Sequence, residues 1–135
     1  MEQGFAQWVE GIRTKGRIGK HDVAALRRDV LADGVTSLEE AEALVALDRA
    51  VVFAHSSWAP TFIAALTDFA VWGARPTGII DPAMGTWLAE RLLGPEASPR
   101  AGRALADIVR EADQVDETLL ARIAAAAEPE MKLAA

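Results

Sequence analysis

The stretch DVLADGVTSLEE at 29–40 constrains this chain more than any other. The helical pattern leading into it meets Asp33-Gly34, where glycine reaches the left-handed conformation that ends a helix at low steric cost. Ser37 then stands at an N-cap position. Glu40, three residues on, completes an S-x-x-E capping box, so a second helix starts at once. Helix, tight turn, helix is the unit predicted to build the rest of the chain.

Phe5, Trp8, Val9 and Ile12 recur at helical spacing, predicting a first helix whose aromatic stripe is either core or partner surface. Val23, Leu26, Val30 and Leu31 carry a second helix up to Gly34. The third runs from Ser37 on Leu38, Ala41, Leu44, Val45 and Val52, with Glu39, Glu42 and Asp48 expected outward. Residues 53–59 read as a connector. Pro60 fits the first turn of a fourth helix, with Phe62, Leu66, Phe69 and Trp72 inward. The segment 74–81 predicts a loop with a short extended piece at Ile79 and Ile80. Asp81-Pro82 and Ser98-Pro99 are cap-plus-proline helix starts, and a last helix opens near Asp116.

No period-two strand pattern interrupts this series. The expected fold is all-α: a single-domain, EF-hand-like bundle of about seven helices built from repeated helix-turn-helix pairs. The domain is expected over 1–127, with a frayed tail at 128–135. Ala24-Ala25-Leu26, Gly34 and Ser37 align with Ala64-Ala65-Leu66, Gly73 or Gly78, and Asp81, and a fainter third copy runs from Ala104-Leu105 to Asp116. Val35, Ile79 and Val115, each just before a second helix, are placed to bridge neighbouring turns.

Composition narrows the functions. A chain of 135 residues, 51% hydrophobic with four Trp and four Phe, supports one continuous core. With no cysteine, disulfides, thiolate chemistry and Cys-ligated metals are excluded. The net charge of −6 and the acidic face of SLEEAEALVALD argue against a DNA-reading helix, which needs cations against phosphate. Arg13, Lys15, Arg17, Lys20, Arg27 and Arg28 form a local basic run against Asp22 alone, read as a solvated face. No apolar run is long enough for a transmembrane segment, and the first residues lack a secretory pattern, so a cytoplasmic protein is expected.

Counted with Gly34 at loop position 6, the stretch meets the EF-hand template at Asp29, Asp33, Ser37 and Glu40. Leu31 stands where a third oxygen belongs, and Thr36 where an aliphatic residue belongs. Any calcium bound there leans on water and carbonyls and is held weakly. His21-Asp22 and His55-Ser56-Ser57 lie outside any nucleophile-elbow sequence, and GIRTKGRIGK lacks the strand and the G-K-[ST] end of a phosphate loop.

LADGVTSLEEAEAL resembles the acidic turn of the tellurite-resistance B-like family, through Ala32, Asp33, Gly34 and Glu40, with paired helices matching more loosely over 23–123. The block carried by Trp58, Phe62, Leu66, Asp68, Phe69, Pro76, Gly78 and Asp81 is similar to uncharacterised bacterial proteins. The resemblance implies an all-helical domain tied to stress-response or membrane-associated assemblies, acidic turns credited with metal binding, and no established enzymatic activity. Gly73, Arg75 and Thr77 stand here where later turns would carry acids.

The expected function is a non-catalytic helical protein-interaction module. It would be an adaptor or small subunit of a larger cytosolic or membrane-peripheral complex, without a cofactor. Phe5, Trp8, Ile12 and Ile79 are the candidate interface, facing a protein partner or a second copy and not nucleic acid. One alternative is a calcium sensor through Asp29, Asp33, Ser37 and Glu40; another is a small enzyme using His21, Asp22 or His55.

Overall fold

Polar side-chain caps start four helices of this chain. A computed structural model describes the backbone of residues 3–73 and 75–134 and the side chains of 4–73 and 75–127. Seven α-helices lie among them: α1 (Gln3–Lys15), α2 (Lys20–Ala25), α3 (Leu38–Ala50), α4 (Trp58–Thr67), α5 (Pro82–Leu92), α6 (Pro99–Glu111) and α7 (Glu117–Ala134). Side chains of Ser37, Asp81, Ser98 and Asp116 accept the N–H three residues on, at 3.1, 2.8, 3.0 and 3.1 Å. Each bond satisfies one orphan donor of a helix start. The fold is an all-α single-domain bundle, as the periodicity predicts. The backbone of α7 stays helical to Ala134, beyond the predicted domain end at 127, and the side chains of the expected tail 128–135 lie outside the described residues.

Two minimal parallel ribbons tie the helix junctions together. β1 (Arg17–Ile18) pairs with β2 (Phe53–Ala54), Arg17 opposite Phe53; β3 (Ile79–Ile80) pairs with β4 (Gln114–Val115), Ile79 opposite Gln114. The bonds flanking the ribbons correspond. Val52 and Asp113 donate their N–H to the carbonyls of Gly16 and Gly78, and His55 and Asp116 donate to Ile18 and Ile80. Gly16 and Gly78 both take left-handed φ, +74 and +81, where a side chain would be strained.

Equivalent positions therefore lie 61 or 62 residues apart, as Gly16 and Gly78 or Ser37 and Ser98 do. The order α1-β1-α2-α3-β2-α4 recurs as α4-β3-α5-α6-β4-α7, with α4 shared. The three shorter copies expected from Ala24-Ala25-Leu26 and Ala64-Ala65-Leu66 give way to these two longer ones. Ser37 corresponds to Ser98, not to Asp81, and Val35 belongs to neither ribbon.

The aromatic stripe of α1 is core. Phe5 and Ile12 are buried, the Phe5 ring stacks on Trp8 at 6.2 Å, Trp8 lies 6.3 Å from Trp58, and Trp58 lies 5.4 Å from Phe62. Trp8 Nε1 donates to the Asp22 carbonyl at 3.0 Å. This corrects the expectation of an interface at Phe5, Trp8 and Ile12. Each large side chain buried there is worth about 1.5–3 kcal/mol, so α1 docks and its stripe is spent within the fold.

A second correction falls on α3. Asp48, predicted outward, is 2% exposed. Its Oδ1 accepts from Trp58 Nε1 at 3.0 Å and Arg100 Nε at 2.5 Å, and its Oδ2 from Ser98 Oγ at 2.5 Å. A carboxylate this deep is tolerated because it is paired and hydrogen-bonded. Helices α3, α4 and α6 meet on it. Val52, predicted on the inner stripe, lies past the end of α3 and is 94% exposed.

Candidate functional site

Helices α2 and α4 each run on into a π-helical turn, Leu26–Val30 and Asp68–Trp72. In such a turn an N–H reaches the fifth carbonyl back, as Leu31 does to Leu26 at 2.8 Å. The wider turn shifts later side chains out of phase with the helix before it, and π turns recur at functional sites. On α4 the shift gives the buried positions to Ala70 and Val71 and turns Trp72, predicted inward, to 43% exposure. On α2 it leaves Leu26 buried and Arg27, Arg28 and Asp29 exposed.

A groove of about 770 Å³ opens between these two walls. Its size falls within the range of small ligand sites, roughly 300–1,000 Å³. Leu26, Leu31, Val35, Ala64 and Ala65 supply its apolar surface, and Arg27, Asp33, Thr61, Asp68 and Trp72 its polar and aromatic rim. Gly34, at φ +79, donates its N–H to Leu31 O at 3.0 Å and closes the tight turn that carries Asp33 to the rim. At the far end a side chain on Gly73 would place its Cβ 2.7 Å from Phe69 O, so the chain leaves the π turn through glycine. Asp33 and Asp68 make no hydrogen bond or ion pair among the described residues.

The four expected cation ligands are divided. Ser37 caps α3, and Glu40, 3% exposed, turns its Oε1 back to accept Thr36 N–H at 2.9 Å and Thr36 Oγ1 at 3.0 Å. An EF-hand needs both oxygens of that glutamate on the ion. Asp29 and Asp33 are exposed, and among the described residues no three His, Asp or Glu side chains gather as metal ligands would. Of the four, Asp33 alone lines the groove.

Of the residues weighed for catalysis, Asp22 and His55 make local hydrogen bonds. His21 is exposed on α2. Both oxygens of Asp22 accept from Lys15 Nζ at 2.8 Å, and Oδ2 also accepts Gly19 N–H at 2.8 Å. Partial burial pushes the Asp22 carboxyl upward, but the Lys15 and Gly19 hydrogen bonds and the Lys15 charge outweigh it and hold the pKa below the ordinary value. His55 Nδ1 accepts Ser57 N–H at 3.1 Å, at the start of α4.

Ile79 is half-buried in β3 and lines a second, smaller cavity of about 260 Å³ with Leu38, Phe69, Met84 and Trp87. Beside it Glu42, predicted outward, joins α3 to α5: its Oε1 accepts from Trp87 Nε1 and Arg91 Nη2, each at 3.0 Å. The bond from Trp87, then that from Arg91, holds the Glu42 pKa below its ordinary value.

Arg27, Thr61, Asp68 and Trp72 are site residues that periodicity does not reveal. The one available signal was Asp68, an acid in an otherwise apolar helical stretch. Among the described residues no helix is long and apolar enough to cross a membrane. Compared with known proteins, the chain matches no family model, and neither a curated protein nor a solved structure matches it.

Proposed function

We propose that this chain is a non-catalytic helical protein-interaction module, an adaptor or small subunit of a larger assembly. Its docking face is the groove between the two π turns. The occupant is a partner segment with apolar side chains on one face and a Lys or Arg at its edge. One observation carries the reading: Asp33 and Asp68, unpaired among the described residues and outnumbering the rim cation Arg27, flank an apolar floor beside an exposed Trp72. Apolar surface with an aromatic anchor supplies affinity, and free rim charges select the partner. The resemblance of Ala32, Asp33, Gly34 and Glu40 to the tellurite-resistance B-like turn supports the same class of protein.

The test is a fluorescence titration with two short amphipathic helices of matched length, one Leu/Lys and one Leu/Glu. The Leu/Lys helix is expected to bind and to shift Trp emission, with Trp72→Phe removing most of the signal and Asp68→Arg removing the binding. Equal binding of both helices, or binding untouched by Asp68→Arg, would sink the proposal.

A further inference from the structure

The first ribbon ends in an apolar tip that the fold leaves bare. Val52 is 94% and Phe53 61% exposed, against 43% for Trp72. Val52 donates its N–H to Gly16 O at 2.9 Å, so the ribbon itself holds the tip outward. Arg17 stands directly opposite Phe53, exposed and without an ion pair among the described residues. Arg13, in the last turn of α1, and Lys20, at the start of α2, flank the junction that carries Arg17, and both are exposed. A chain of net charge −6 thus carries a cationic, apolar tip. It also carries an apolar groove whose rim holds Asp33 and Asp68, unpaired among the described residues, against the single cation Arg27. The tip has the chemistry that the groove takes.

We infer that the tip of one copy docks in the groove of a second, with Phe53 against Trp72 and Leu31, and Arg17 beside Asp33 and Asp68. This rests on the groove reading above and names its occupant. The two surfaces differ, so the contact is heterologous and adds copies head to tail instead of closing a symmetric dimer. Opposite charges at the rim make the association weaken with salt.

Sedimentation velocity and light scattering from micromolar to millimolar protein test this. Average mass is expected to rise with concentration and fall with added salt. Phe53→Asp and Asp68→Arg should each weaken association by about thirtyfold, the loss typical of a buried anchor. Both sites are exposed, so circular dichroism should be unchanged. An equimolar mixture of the two variants should recover a one-to-one pair and nothing longer, because one copy supplies an intact groove and the other an intact tip. A wild type that stays monomeric throughout overturns self-docking, as does an assembly that neither variant weakens or a mixture that fails to pair. Adsorption of a monomeric wild type to phosphatidylserine vesicles, lost in Phe53→Asp, would assign the tip to an anionic lipid surface instead. If the monomer still binds the Leu/Lys helix, the groove reading stands and self-docking alone falls; if it binds neither, both fall.

Discussion

Replacing Asp48 by alanine is expected to cost about 3–5 kcal/mol, the usual loss when one partner of a buried ion pair is removed. Three side-chain donors converge on this carboxylate: Trp58 Nε1, Arg100 Nε and Ser98 Oγ. Hydrogen bonds to a charged group are worth about 1.5–3 kcal/mol each, but the three share one acceptor and do not add. Arg100, its side chain 26% exposed, recovers water when the carboxylate goes. Trp58 does not, because it is fully buried and its N–H is left without an acceptor. Against a total of about 5–15 kcal/mol for a typical domain, the loss is a large share. For a chain of this size it lowers the thermal midpoint by roughly 10–20 °C. Urea unfolding followed by Trp fluorescence measures it directly, with the slope m unchanged if only stability moves. Asp48→Asn, which keeps an oxygen for Trp58 but no charge for Arg100, should fall near half of the alanine cost. Asp29→Ala, an exposed acid, should lie within about 0.5 kcal/mol of wild type. A cost for Asp48→Ala below about 1 kcal/mol, or an asparagine as costly as the alanine, would refute the pairing argument.

The acid limb of stability tests the Lys15–Asp22 pair. The folded pKa of Asp22 lies below its ordinary 3.8, so its contribution is complete above that value and is lost as pH falls through the folded pKa. Lys15→Ala should therefore flatten the fall in urea midpoint between about pH 4 and pH 2, and an unchanged acid limb would count against the pair. The caps give a graded comparison by the same unfolding assay. Ser37→Ala should cost about 1 kcal/mol as a simple cap, and Ser98→Ala about 2–3 kcal/mol because its hydroxyl also donates to Asp48. Equal costs would separate Ser98 from the buried network.

What the sequence disclosed was local. Asp81-Pro82, Ser98-Pro99 and the Ser37–Glu40 spacing mark helix starts because a cap is satisfied within a few residues of itself. Ile79 and Ile80 show as an extended piece by their β-branched pair. Arg17 and Ile18 do not, since two residues are too few to display alternation and their partners lie across the fold at Phe53 and Ala54. Asp48 sits on the outward phase by counting, and only donors 10, 50 and 52 residues away make its burial tolerable. The groove was hidden for a third reason. Phe62, Leu66, Phe69 and Trp72 are spaced for one unbroken α-helix, and the π turn that breaks their phase leaves no mark in that spacing.

The two halves of the chain show why the groove lies where it does. Measured from the caps Gly19 and Asp81, Val23 in α2 corresponds to Gly85 in α5. At Gly85 a Cβ would sit 3.1 Å from Asp116 Oδ2 and 3.4 Å from Leu119 Cβ, so glycine lets α5 settle closely on the start of α7. The corresponding α2 carries a branched valine at that point. It is also a six-residue helix that passes into a π turn, where α5 continues as a plain α-helix for 11 residues. Close approach and helical continuity join α5 to the start of α7; α2 has neither, and the groove opens between its π turn and α4.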